Sequence, residues 1–197
     1  MEVIGPTLML RYATAGDAPR LLELASDPLV TQWFSWGPYE RLDQPEAYIA
    51  GLEGKRERAE LLDFLIVHRK AGAIGVTGLS ELAARDRRAT VGTWFGREWW
   101  GSGANRESKA LIAALAFRRL GLDRLTAWAN TRNGRSQTAL ERVGFRREGV
   151  LRSWHRHGDA RHDVVVFRML REEWEASPLA QVPAQVTGTP PTGFVVA

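Results

Sequence analysis

Gly101-Ser102-Gly103 follows two tryptophans, Trp99 and Trp100, and runs straight into a helical pattern. The first N–H groups of a helix have no partners inside it, and glycine lets another molecule approach them closely. Such amides, at the positive end of a helix dipole, suit an anion, usually a phosphate. From Gly101 to Arg106 successive N–H groups can form a concave nest, with Arg106 and Lys109 adding charge nearby. One helix and one strand further on, Asn133 and Ser136 open a second helical pattern that closes on Gly144-Phe145. No side chain announces itself as a general base. Glu81, Asp163 and His155 are candidates acting through water, and each also reads as a surface or turn residue.

Two familiar phosphate loops fail. A Walker A loop needs G-x-x-x-x-G-K-[ST], which is nowhere in the chain. A dinucleotide fingerprint needs G-x-G-x-x-G, but Arg106 stands at the third glycine and the site follows the fourth expected strand instead of the first.

A third pattern fits better. The stretch Trp100-Gly101-Ser102-Gly103-Ala104-Asn105 resembles Q/R-x-x-G-x-G/A, the coenzyme A pyrophosphate loop of the GNAT acetyltransferase superfamily. Both ends depart from it: Trp100 stands for Gln/Arg and Asn105 for Gly/Ala. The segment "NGRSQTALERVGF" resembles the family's N-x-x-[AS]-x₇-G-F, with Asn133, Ser136, Gly144 and Phe145 in place. The runs "WWGSGANRESK", "TRNGRSQTALERVGFRREGVLR" and "RHDVVVFRMLREEW" are similar to the branch containing the ribosomal-protein N-terminal acetyltransferases. The resemblance covers roughly Thr7 to Trp174 and implies acetyl-CoA as cofactor. It further implies that the strand before the loop splays from its neighbour. The pantetheine arm then bonds to backbone at about Trp94 and Phe95, with Asn133 touching the same arm.

Acetyl transfer to an amine needs a neutral amine, a donor for the developing oxyanion and a proton for the departing thiolate. A backbone N–H from Phe95 is the expected oxyanion donor. Many superfamily members place a tyrosine seven residues after the asparagine; here that residue is Leu140. The ribosomal-protein branch carries a serine three residues after it, so Ser136 is the candidate proton donor, or an ordinary first-turn serine bonded to backbone or cofactor. A weak or water-borne base suits a terminal α-amine (pKa about 7.7–8.0) better than a lysine amine (about 10.4). Trp33, Trp36 and Tyr39, with Phe34, are expected either to line the acceptor side, where Trp154 joins them, or to cover the core edge. "HRHGDARHD" reads as a hairpin turn with exposed histidines, not a metal site.

The order of elements needed to hold these residues is legible. "TLMLRYAT" reads as a strand, and Thr14 with Asp17 as the cap of a first helix through Leu21–Ala25. Helices over 29–34 and 44–60 follow. Strands at 61–70 and 73–82 flank a turn at Ala71-Gly72, with another strand at 89–96. The glycine loop and a helix to about Leu120 precede a strand at 123–130, a helix over 134–144 and strands at 145–155 and 161–170. This order predicts an α/β, mostly antiparallel central sheet with one splayed parallel pair and helices on both faces. Residues 1–174 form the expected domain, and 175–197, rich in Pro, Gly, Thr and Ala, reads as a flexible tail.

The bulk numbers agree with one globular domain: 197 residues, 44% hydrophobic, 25% charged. The absence of cysteine excludes disulfides, thiolate metal sites and a cysteine nucleophile. No secretion signal or long apolar run is visible, so the expectation is a cytoplasmic monomer or homodimer with no membrane or DNA partner. The net charge of +4 comes from scattered arginines with acids among them, a mild attraction for anions. A protein N-terminus is the leading acceptor. The alternatives are a small amine (aminoglycoside, polyamine or amino acid), or a non-catalytic acyl-CoA-binding or RNA-associated module.

Overall fold

The computed structural model describes residues 1–196. Nine strands form one sheet: β1 (Glu2–Ile4), β2 (Leu8–Arg11), β3 (Leu61–His68), β4 (Gly72–Ala83), β5 (Arg88–Phe95), β6 (Arg124–Asn130), β7 (Arg146–His157), β8 (Ala160–Leu170) and β9 (Gln185–Thr187). Their spatial order is β7-β8-β6-β5-β4-β3-β2-β1-β9. Every neighbouring pair is antiparallel except β5–β6, joined by a helical crossover as parallel strands require.

The helices cover both faces. On one face lie α1 (Ala18–Ala25), α2 (Pro28–Thr31) and α3 (Asp43–Glu57), over a small core of Leu21, Leu65, Ala73 and Val76. Thr14 and Asp17 make the expected cap, the Asp17 carboxylate accepting from the Thr14 N–H at 2.8 Å. The other face carries the main core. There α4 (Ala104–Ala114) is buried almost all round from Ser108 onward and ends in a π-helical turn, Leu115–Arg119. Beside it lie α5 (Gly134–Arg142) and α6 (Arg171–Glu175), whose Trp174 meets Phe117 with ring centroids 5.3 Å apart. Glu107 fixes α4 to the start of β2 by accepting from the N–H groups of Thr7 (2.7 Å) and Leu8 (2.8 Å). That contact anchors the helix whose first turn carries the glycine loop.

Two short strands escape the sequence reading. β1 and β9 are three residues each and pair with one another at the sheet edge. The stretch expected to be a flexible tail is therefore placed differently: through residue 196 it packs against the main core. Phe194 is buried, and the Val196 N–H bonds to the Leu120 carbonyl at 2.9 Å. Composition signals a lack of regular structure, but four apolar side chains, Leu179, Ala180, Phe194 and Val196, suffice to seat the chain. Ala197 lies outside the described residues. No helix among them is long and apolar enough to cross a membrane.

Candidate active site

The parallel pair is the origin of the site. β5 and β6 are paired only at Arg88↔Arg124, Ala89↔Leu125 and Thr90↔Thr126, and then diverge. The gap holds a cleft of about 310 Å³ walled by Val91–Phe95 on one side and Ala127–Asn130 on the other. Backbone parity on the β5 wall is visible from its contacts. Gly92 O accepts from Thr77 Oγ1 on β4 at 3.0 Å, and Gly96 N–H bonds to Ile74 O on β4 at 2.9 Å. Phe95 O instead faces away from β4 and takes the Trp100 indole N–H at 3.2 Å. Amide direction alternates along a strand, so Val91, Thr93 and Phe95 turn their N–H groups to the gap. Phe95 thus presents an amide to the gap. The Trp94 backbone turns to β4, and Trp94 reaches the cleft by its side chain.

The glycine loop sits at the cleft's outer end. Gly101 and Gly103 have φ of 76° and 90°, values that favour glycine, and a Cβ on either would meet nothing within 4 Å. Neither N–H has a hydrogen-bond partner among the described residues. Ser102 Oγ bonds to Trp99 O at 2.7 Å and accepts from Ala104 N–H at 3.3 Å, and Arg106 N–H turns back to Gly103 O at 3.0 Å. Asn105 and Trp100 line the cleft. Arg135, from the first turn of α5, lies over the Trp100 ring with its guanidinium carbon 3.1 Å from the centroid. The cation beside the loop thus comes from another helix instead of from position 100, and no spacing in the sequence points to it.

Lys109 does not reach the loop. It lines the cleft as a buried side chain whose ammonium donates to Thr93 Oγ1, which itself shares a 2.7 Å hydrogen bond with Thr77 Oγ1. Burial without a carboxylate partner pushes its pKa down to about 7.

On the α5 side, Asn133 caps the helix by accepting from Ser136 N–H at 3.1 Å. The Ser136 hydroxyl lines the cleft and has no hydrogen-bond partner among the described residues, so its proton is free to give. Leu140 is buried beside it.

The three base candidates separate. Asp163 accepts from Ser153 N–H (2.8 Å) and Arg152 (2.7 Å), which hold its carboxyl below the ordinary range. Those bonds pin a register shift between Leu151 and His155, where Ser153 has φ of 50°. The shift turns His155 into the cleft and leaves Trp154 outside it, half exposed. His155 sits edge-on to Trp128 at 4.1 Å; burial and then His157 push its pKa down, while Glu81 pulls the other way. Glu81, at a bulge with φ of 51°, accepts from Thr90 Oγ1 at 2.7 Å beside the cleft mouth. Among the aromatics, Trp33 and Phe34 line the cleft. Trp36 and Tyr39 stand behind them, Trp36 against Trp94 at 5.6 Å and Tyr39 at 5.3 Å.

The sequence model described as the Acetyltransferase (GNAT) domain matches residues 7–146, well over half of the chain. The protein belongs to the GNAT acetyltransferase family. The Bacillus licheniformis protein named "Uncharacterized N-acetyltransferase p20" is 29% identical over 172 residues, 85% of this chain and 94% of that protein. The Bacillus subtilis (strain 168) protein named "Putative ribosomal N-acetyltransferase YdaF" is 32% identical over 101 residues, 51% of this chain and 55% of that one. Spermidine N-acetyltransferase from Vibrio cholerae, solved in complex with CoA and spermine, shares the GNAT fold with a TM-score of 0.73. It is 21% identical, over 86% of this chain and 98% of that chain. The residues here fit the GNAT cofactor: two unpartnered glycine amides open to solvent, and beyond them a gap edged by free backbone groups.

Proposed function

We propose that this GNAT enzyme acetylates a primary amine, with a protein N-terminal α-amine as its leading acceptor. The observation that carries this reading is His155 at the cleft. It is an imidazole that burial keeps neutral near pH 7, where no carboxylate among the described residues lines the cleft. An imidazole accepts a proton readily from an α-amine of pKa about 7.7–8.0 and far less readily from a lysine amine of about 10.4. Similarity to the protein named a ribosomal N-acetyltransferase supports the same acceptor class.

Bound acetyl-CoA would supply the activated thioester. The unpartnered amides of Gly101 and Gly103 would hold its diphosphate, with Arg135 and Trp100 alongside. The gap-facing amides of Thr93 and Phe95 would orient the arm, and one of them would polarise the carbonyl. Ser136 Oγ would give a proton to the departing sulfur. His155 would take the proton released by the amine, with Glu81 offsetting part of the burial that disfavours its charged form.

The test is thiol release from acetyl-CoA with peptides bearing free or blocked N-termini, spermidine and an aminoglycoside. Turnover on free but not blocked peptides, faster than on the small amines, is the expected result. Preference for a small amine would move the acceptor class. Tight coenzyme binding without turnover on any amine would make the protein a binding module, and salt-dependent RNA binding would point to a nucleic-acid partner.

A further inference from the structure

On the α1–α3 face a row of cross-strand partners leads away from the cleft: Gly92 on β5 pairs with Gly78 on β4, and Gly78 with Asp63 on β3. Cross-strand partners share a face, so two adjacent glycines leave a trough there. Nothing lies within 4 Å of where a Gly92 side chain would begin. Over Gly78 that space is taken by Asp63, whose Oδ1 occupies the site of the missing Cβ. The carboxylate therefore leans across β4 toward the cleft. Its Oδ2 is held by the Tyr48 hydroxyl at 2.7 Å. Its Oδ1 has no donor among the described residues. Lys55 is near enough to be felt but forms no ion pair with it. Tyr39, Trp36 and Trp94 form a chain of ring contacts at 5.3 and 5.6 Å, and Trp94 lines the cleft.

A half-buried carboxylate with one oxygen unused, leaning toward the open Gly92 position at the cleft wall beside Trp94, is a receptor for an organic cation. We propose that Asp63 binds a second positive charge on the acceptor, so that this enzyme selects amines carrying another ammonium or guanidinium group. The inference rests on the acetyltransferase reading above. Two strand spacings, about 10 Å, separate the Gly78 position from the middle of the gap, too far for Asp63 to touch the reacting nitrogen. With about 3 Å taken by the ion pair, the two nitrogens stand about 7 Å apart, the reach of a four- or five-carbon chain. A diamine or a lysine side chain near a peptide N-terminus meets that requirement. Burial raises the Asp63 pKa in the free protein, and an arriving cation lowers it again.

The experiment compares kcat/KM for 1,5-diaminopentane against pentylamine, and for tripeptides with lysine against norleucine at the second position. Each pair is run with the native enzyme, Asp63→Asn and Tyr48→Phe. The expected result is a preference of about tenfold or more for the dication in one pair, collapsing toward unity in Asp63→Asn and reduced in Tyr48→Phe. The pair that shows it tells a small diamine from a peptide. Asp63→Asn keeps the acceptor oxygen for Tyr48, and an unchanged melting temperature separates lost selectivity from lost folding. Calorimetric binding of 1,5-diaminopentane and pentylamine to the CoA-loaded protein is measured in parallel. No turnover with any amine, but Asp63-dependent dication binding, would overturn the enzymatic reading and leave this one standing. No dication preference in rate or binding, or a preference equally strong in Asp63→Asn, would overturn the role of Asp63.

Discussion

Ser136 and Lys109 show how much burial decides at the scale of one residue. Ser136 keeps a free hydroxyl because Asn133 caps the helix through the Ser136 backbone and leaves its side chain alone. Ser136→Ala should lower kcat at least tenfold while the Kd for coenzyme A changes less than threefold; rapid-quench turnover with calorimetry checks this, and equal losses would make the serine a binding group. Lys109 carries a cost instead. Its pKa falls from the ordinary 10.5 to about 7, so the unfolded chain binds more protons between those values and stability rises with pH across that window. Below about pH 7 the ammonium is charged in both states and its burial penalty is complete. Lys109→Met should therefore melt several degrees higher than the native protein at pH 6, with the difference shrinking by pH 9. Thermal melts at the two pH values decide it.

At the scale of elements, the loop and the helix behind it work as one part. Gly103 ends the loop in a left-handed conformation that aims the first turn of α4, and Glu107 holds that helix to β2. Gly103→Glu puts a carboxylate over the amides and a side chain at φ 90°. Coenzyme affinity should fall more than a hundredfold, with a stability loss of only about 1–2 kcal/mol from the backbone strain. Calorimetry beside chemical denaturation measures both. The loop was legible in the sequence because glycine at positive φ is a local requirement. The Arg135–Trp100 stack was not, because its members meet only when α4 and α5 pack side by side, a contact also marked by the Asn105 to Ala139 carbonyl bond at 3.4 Å.

Across the whole molecule, the cleft exists because one parallel pair runs out of register partners after three residues while the flanking ladders continue. Both walls must be rigid for the gap to keep its shape. The C-terminal stretch contributes to that rigidity from behind, with Phe194 buried in the main core near the end of α4. Phe194→Ala should destabilise the protein by about 3–5 kcal/mol in denaturant titration, as for a fully buried aromatic. A loss below 1 kcal/mol would show that the stretch is only loosely seated. The sequence expectation failed here because Pro- and Gly-rich composition reports missing periodicity, whereas docking depends on a few apolar side chains finding a vacant place on the core.

What the sequence determined by itself was whatever short-range physics controls: the glycine amides at a helix start, the Thr14–Asp17 cap, the alternation of strand and helix periods, and so the fold. What only the tertiary structure decided was parity and partnership. A register shift pinned by Asp163 presents His155 to the cleft in place of Trp154. Packing buries Lys109 against Thr93 on the cleft wall instead of leaving it beside the glycine loop, and sheet register lines Asp63 up with Gly78 and Gly92. Each depends on residues far apart in the chain, and a one-residue slip in any ladder would reverse which side chains face the site.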